Sequence, residues 1–167
     1  MAYFHSHNTF LYRNSSWLRG CLIVSFLCLL AGAEFSASAQ TSQVATISAA
    51  SYSTEVAPES IVSSFGARLS ITFALASDVE PNTPGIQLPL TLGGTTVTVK
   101  DSSGTERAAP LLYVSPTQIN YLIPAGTQTG VATILIRAGD GTTANGTVDV
   151  RPTAPAIFTA NATGKGT

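Results

Sequence analysis

The sequence predicts an all-β domain, either a sandwich or a barrel. Apolar residues occur in short runs, and turn residues separate these runs at roughly 8–12-residue intervals. Threonine and serine supply most of the polar positions, and threonine favours strands because its branched Cβ fits a pleated surface. No stretch of about 11 residues or more shows a convincing 3.6-residue apolar period, so no amphipathic helix is predicted.

The first 39 residues have the pattern of a secretory signal peptide. A polar start precedes a 13-residue apolar run at 21–33, and the small residues Ala37 and Ala39 precede Gln40. A membrane-spanning helix needs about 20 apolar residues, so this run is too short for one. We therefore expect cleavage between Ala39 and Gln40, secretion or display at the cell surface, and no membrane contact of the mature chain.

The predicted mature chain, 40–167, contains no Cys, His, Trp or Met, because all of these lie in the first 28 positions. This composition excludes ordinary zinc, copper and iron–sulfur sites, Ser-His-Asp and Cys-His catalytic groups, and disulfides. Six basic and eight acidic side chains form no basic stripe, which disfavours binding to nucleic acids or acidic membranes. We expect no metal and no cofactor.

The first half of the mature chain predicts four extended segments. In the third, Ile71, Phe73 and Leu75 alternate on one face of a strand. In the fourth, Pro89 removes a ladder donor and indicates an edge or a connector. A loop at 78–85 separates these two segments. The four segments are Gln43–Ser48, Ile61–Phe65, Ser70–Leu75 and Leu88–Leu92.

The second half predicts five more segments. Pro110 interrupts the second of them, and Asn145-Gly146 has the composition of a tight turn before the last. The fourth has apolar residues on both faces, which indicates a central, covered strand with Leu135 in the core. The five segments are Thr95–Lys100, Glu106–Val114, Gln118–Ile123, Val131–Arg137 and Thr147–Val150.

Tyr113 and Tyr121 are the candidate ligand-binding aromatics, because they flank one predicted hairpin turn and we expect them to be neighbours. Two adjacent tyrosine rings offer the apolar faces that a sugar ring stacks on. Half-buried packing is the other interpretation of both tyrosines. In that case Gln118 or Asn120 is expected to hydrogen-bond a buried phenol, and all four residues belong to the candidate site.

The acidic residues offer three candidate pairs for two-carboxylate hydrolysis. Each lies at a turn, where acids bond the local backbone, so we expect solvated loop charges and no catalytic residue. Asp140, between two glycines, is the candidate centre of a calcium site with Asp78, Glu80 or Asp149, but no ligand loop of fixed spacing is present. The three pairs are Glu55 with Glu59, Asp78 with Glu80, and Asp101 with Glu106.

Several stretches together resemble a known family. They are Ile47–Tyr52 (ISAASY), Ala57–Gly66 (APESIVSSFG), Leu88–Gly94 (LPLTLGG), Ala109–Pro124 (APLLYVSPTQINYLIP) and Ala154–Thr159 (APAIFT). Over about 47–167 the chain resembles the uncharacterised C-terminal domain family of secreted acidobacterial proteins, the Solibacter C-terminal domain. It is also similar, more distantly, to IPT/TIG immunoglobulin-like domains.

The resemblance implies export and an immunoglobulin-like β-sandwich over 40–158, without any established activity, ligand or catalytic residue. Two departures from the family pattern carry expectations. Glu59 replaces the glycine that usually follows the first Ala-Pro, so we expect this turn to tolerate φ < 0 at position 59. Family members continue beyond the Ala-Pro-x-Ile-Phe-Thr motif, so 159–167 is expected to be a frayed tail or a truncated continuation, leaving unpaired edges and an incomplete core.

Three functional hypotheses follow from the sequence. The first is a secreted, non-catalytic, immunoglobulin-like accessory or interaction module with a protein or glycan partner. The second is a carbohydrate-binding module that uses exposed tyrosines, which rests on Tyr113 and Tyr121. The third, more remote, is a two-carboxylate hydrolase that uses some of the eight acids.

Overall fold

A computed structural model describes residues 42–77 and 85–159, and over these ranges the chain forms eleven β-strands and no helix. The predicted all-β fold is confirmed, because two sheets pack together as a β-sandwich. The strands are β1 (Ser42–Gln43), β2 (Ala45–Ser48), β3 (Glu55–Val56), β4 (Ile61–Phe65), β5 (Ala74–Leu75), β6 (Thr96–Lys100), β7 (Glu106–Ala108), β8 (Leu111–Val114), β9 (Gln118–Leu122), β10 (Gly130–Arg137) and β11 (Thr143–Val150).

The strands divide into a six-stranded and a five-stranded sheet. The six-stranded sheet has the order β1-β11-β10-β6-β7, with β3 also pairing with β11. The five-stranded sheet has the order β2-β4-β9-β8-β5. Most pairs are antiparallel, whereas β1 and β3 run parallel to β11. Each sheet therefore has one apolar face toward the other sheet and one face toward solvent.

One buried cluster lies between the sheets, and strict alternation along the strands supplies its members. In β6 the inward residues are Val97 and Val99, as the sequence predicts. In β9 Ile119 and Tyr121 are fully buried, and Ile123 follows them into the core just beyond the strand. The predicted inward positions are therefore confirmed. They could be predicted because alternate residues of a strand lie on the same face.

Two short connections carry the chain from one sheet to the other. Pro110 separates β7 from β8, which belong to different sheets, so the predicted interruption of Glu106–Val114 is confirmed. Val44 separates β1 from β2 in the same way. The Val44 carbonyl oxygen comes so close to Gly146 that any Cβ at this position would clash with it. The predicted tight turn at Asn145-Gly146 is wrong, since both residues lie within β11.

The predicted strand Ser70–Leu75 is shorter than expected, and its apolar side chains face solvent. Only Ala74 and Leu75 pair with β8. Ile71, Phe73 and Leu75 are all exposed, whereas the small Ala74 packs against the core. The alternation holds only over 74–76, where Ala74 and Ala76 are half-buried and Leu75 is exposed, whereas Thr72 is exposed like Ile71 and Phe73.

Strand β10 is central, as predicted, because it pairs with β11 on one side and β6 on the other. It is covered on one face only. Ile134 and Ile136 are buried, whereas Leu135 is 38% exposed on the outer face. The prediction of Leu135 in the core is therefore wrong.

Glu59 occupies the third position of a four-residue turn that begins at Ala57. Its φ is +64°, in the left-handed region, and the Ser60 N–H donates to the Ala57 carbonyl over 3.1 Å. Pro58 followed by a residue with positive φ is the geometry of a type II turn. The expectation of φ < 0 at this position is wrong, because the turn keeps the conformation that glycine favours.

Candidate functional site

Hairpin β8–β9 places the four candidate residues on two different faces of the sheet. Tyr113 lies opposite Asn120, whereas Tyr121 lies opposite Leu111, with a register shift between positions 111 and 113. Tyr121 therefore points into the core, and Tyr113 points outward beside Asn120. The hairpin is confirmed, but the predicted pairing of the two tyrosines is wrong.

Tyr121 is part of a buried hydroxyl chain between the sheets. It is fully buried, and its hydroxyl lies 3.0 Å from the Ser64 hydroxyl, which lies 2.7 Å from that of Thr46. Burial raises the pKa of Tyr121 to about 12, against the opposing effect of the Ser64 hydrogen bond. Tyr121 cannot stack on a ligand at the surface, which corrects its assignment to the site. Its partner is Ser64, where Gln118 or Asn120 was expected.

The other three candidate residues lie on the outer face of the five-stranded sheet. Asn120 is the centre of a polar group there, because its Oδ1 accepts hydrogen bonds from Ser63 Oγ (2.9 Å) and Gln118 Nε2 (2.8 Å). Among the described residues, the Asn120 Nδ2 and Gln118 Oε1 atoms have no protein partner. They are held in place by bonds on one side and are free to bond a ligand on the other.

Apolar side chains border this polar group on both sides. Phe65 lies opposite Gln118 and is 38% exposed. Tyr113 lies opposite Asn120, and the exposed Leu75 lies opposite Tyr113 on the next strand. The outer face therefore has amides in the centre and rings or aliphatic groups at the sides. We call this surface the amide face; its residues are Ser63, Phe65, Tyr113, Gln118 and Asn120.

The sequence analysis missed Ser63 and Phe65 as site residues, although a signal was present. Both are outward positions of the β4 strand, whose bounds the sequence predicts correctly. Alternation places them on one face with Ile61. Only the pairing of β4 with β9 shows that this face adjoins Gln118 and Asn120.

The outer faces of the two sheets differ in charge. The six-stranded sheet carries Lys100, Arg137 and Asp149 among threonines on its outward positions. The outward positions of β2, β4, β9, β8 and β5 include no charged residue. Charged side chains are favoured on faces exposed to water, so the amide face has the composition of a contact surface.

Asp101 is buried, which corrects the expectation that it is a solvated loop charge. The Ser103 hydroxyl donates to it over 2.6 Å. This bond holds the pKa of Asp101 well below its usual value. Further hydrogen bonds from the Gln128 N–H, the Arg107 guanidinium and the Thr105 N–H act in the same direction. A carboxylate that is this hard to protonate cannot serve as a general acid, and its oxygens already hold the turn together.

Three of the other described acids form ion pairs at two places on the surface. Glu106 pairs with Lys100 at 3.3 Å, and Glu55 with Arg151 at 2.9 Å. Arg151 also contacts Asp149 at 2.7 Å.

Asp140 accepts a hydrogen bond from the Thr142 N–H within its own turn, and this bond lowers the pKa of Asp140. Asp149, one of its predicted calcium partners, instead contacts the Arg151 guanidinium. No cluster of three His, Cys, Asp or Glu with metal-binding geometry occurs in the described part of the chain.

Several predictions fall outside the described residues. These concern the signal peptide 1–39 with its cleavage site at Ala37, Ala39 and Gln40, the acids Asp78 and Glu80, and the tail beyond Thr159. Within 42–77 and 85–159, no helix is long and apolar enough to cross a membrane.

Comparison with known proteins adds no assignment to this geometry. The chain matches no protein-family model, and no curated protein is similar enough to count as a relative.

Proposed function

We propose that this chain is an exported, non-catalytic interaction module that binds its partner through the amide face. The observation that carries the proposal is the paired amide group of Gln118 and Asn120, which is held by Ser63 on an uncharged face. Preorganised amides lose little conformational freedom on binding, and the flanking rings add apolar contact area. Together these are the elements of a binding surface.

The strand order supports an immunoglobulin-like architecture for the module. The orders β2-β4-β9-β8 and β7-β6-β10-β11 correspond to A-B-E-D and C′-C-F-G of immunoglobulin-type sandwiches. Domains of this architecture serve many unrelated functions, so the binding surface has to be argued from its side chains. The resemblance to the acidobacterial family and the signal-peptide pattern support export to the cell surface or medium.

A photo-cross-linker tests whether the amide face binds a partner. We would replace Phe65 with p-benzoylphenylalanine, and Val131, which is 65% exposed on the other sheet, as the matched control. We expect a defined adduct from position 65 and none from 131 in the cells that produce the chain. The double change Asn120→Ala and Gln118→Ala should weaken that adduct. Equal labelling at both positions, or none at 65, would contradict the proposal.

A glycan is the second candidate partner, and Tyr113 is the observation that favours it. Its half-buried ring stands beside the free Asn120 Nδ2, so one sugar could stack on the ring and accept the amide hydrogen bond. On a glycan array we expect binding that Tyr113→Ala and Asn120→Ala abolish and Val131→Ala leaves intact. Binding that survives Tyr113→Ala would remove the sugar hypothesis and leave a protein partner.

A further inference from the structure

Four exposed apolar side chains lie along one edge of the five-stranded sheet. Leu75 lies in the edge strand β5 and is 79% exposed, and Phe73, directly before β5, is 72% exposed. Ile86 and Leu90 lie in the segment that contacts β8 next to β5, and they are 77% and 51% exposed. We call these four residues the β5 edge patch.

Among residues 42–77 and 85–159, no strand pairs with the outer edge of β5. The Ala76 N–H donates to the Leu112 carbonyl, so alternate residues of this segment direct their backbone groups toward β8. The backbone groups of Phe73 and Leu75, one residue out of phase, therefore point away from the sheet, and the Phe73 carbonyl accepts a hydrogen bond from the Thr72 hydroxyl over 3.4 Å. An edge with free N–H and C=O groups is a template for another strand.

The edge strand of the other sheet is protected by charged side chains, which β5 lacks. Its edge strand β7 carries Glu106 and Arg107, and Glu106 pairs with Lys100 at 3.3 Å. Charges of this kind disfavour strand addition. By contrast, 69–77 and 85–90 contain no charged residue, although Asp78 and Glu80 lie between these ranges in the sequence. This uncharged edge coincides with the most exposed apolar side chains of the five-stranded sheet.

We propose that the β5 edge pairs antiparallel with the β5 edge of a second copy of this chain. An antiparallel edge contact is isologous, so one apolar patch meets its own copy and no like charges oppose each other. At about 150 Å² for each large apolar side chain, the four side chains expose roughly 420 Å² per copy. Two copies would bury at most about 840 Å², which is below the size of a stable interface, so the dimer should be weak and reversible.

The dimer would also affect the proposed binding function. Leu75 lies opposite Tyr113, so the amide face begins one strand from the β5 edge. The twofold axis of an antiparallel strand pair is perpendicular to the sheet, so both amide faces would point to the same side. A partner with repeated epitopes would then bind two copies at once, with a gain in avidity.

Sedimentation velocity across a concentration series tests the dimer. The full-length chain would be expressed with its own leader and purified from the exported fraction. We expect reversible dimerisation that Leu75→Lys and Phe73→Lys each weaken more than tenfold. Val131→Lys, at an exposed apolar position of the other sheet, is the matched control and should leave the dimer unchanged.

Cysteine cross-linking provides a second measurement in case the lysine variants fold poorly. We expect Leu75→Cys to form a disulfide-linked dimer under mild oxidation and Val131→Cys to form none. A wild-type chain that stays monomeric at every concentration would overturn the proposal and leave the edge to an extended segment of another protein. Equal weakening by Val131→Lys and Leu75→Lys, or equal cross-linking of the two cysteine variants, would also overturn it.

Discussion

The Tyr121 hydroxyl lies 3.0 Å from the Ser64 hydroxyl inside the sandwich, on neighbouring strands of the five-stranded sheet. Ser64 in turn contacts Thr46 at 2.7 Å, so three hydroxyls satisfy one another away from water. Every buried side-chain polar atom of the described residues has a partner. Tyr121, which the sequence places among the candidate ligand-binding residues, therefore has a structural role.

This hydroxyl chain predicts that removing its middle member costs more stability than removing its end. Tyr121→Phe should lower the free energy of unfolding by about 1 kcal/mol, because Ser64 and Thr46 still bond each other. Ser64→Ala should cost about 2–3 kcal/mol, because the buried hydroxyls of Tyr121 and Thr46 both lose their hydrogen bond to Ser64. Urea unfolding measures both, with Tyr113→Phe on the outer face as the control. A Ser64→Ala cost no larger than that of Tyr121→Phe would contradict the arrangement.

Neighbouring positions of β10 should respond very differently to truncation. Ile134→Ala should cost about 2–5 kcal/mol, because Ile134 is fully buried in the core. Leu135→Ala should cost less than about 1 kcal/mol, since Leu135 is 38% exposed on the outer face. Denaturant unfolding of the two variants measures the difference. Equal costs would mean that β10 is covered on both faces, as the sequence pattern predicts.

Glu59→Gly should stabilise the domain, although it removes a side chain. A non-glycine residue in the left-handed region costs about 1–2 kcal/mol of stability, and glycine removes this cost. Glycine also makes the unfolded chain more flexible, which lowers the stability by about 0.4–1 kcal/mol. We therefore expect a gain of up to about 1 kcal/mol in thermal or urea unfolding. Glu59→Ala, which keeps the Cβ, is the control and should gain nothing. Equal stability of the two variants would exclude a strained turn.

Asp101 should make stability depend on pH only in strongly acidic solution. The pKa of Asp101 is lowered by folding, so its stabilising contribution is present above the unfolded value of 3.8 and is lost as the pH falls toward the folded value. Asp101→Asn should lower the Tm at pH 7 and flatten the fall in Tm below about pH 4.

Glu106→Gln provides the comparison for this experiment. Its ion pair with Lys100 is solvent-exposed, so little change in Tm is expected. A Glu106→Gln variant that flattens the acid dependence as much as Asp101→Asn would show that the turn charges act collectively.

The sequence predicted hairpin β8–β9 of the candidate site but not the register of its two strands. The LLYVSPTQIN motif draws attention to hairpin β8–β9, and this hairpin forms with its turn where the sequence places it. The motif cannot show that the register shifts between Leu111 and Tyr113, because a bulge depends on how both strands meet their neighbours. That shift separates Tyr113 from Tyr121 and leaves only the first at the surface.

The sequence by itself determined the all-β class, most strand positions and the faces on which residues fall together. These properties follow from local backbone geometry, since alternate side chains of a strand point to opposite sides. Only the tertiary structure decided which face is buried. Ile71, Phe73 and Leu75 alternate as cleanly as Ile119, Tyr121 and Ile123, yet the first group is exposed and the second is buried. Burial depends on whether a second sheet covers a face, and that is a property of strands distant in sequence.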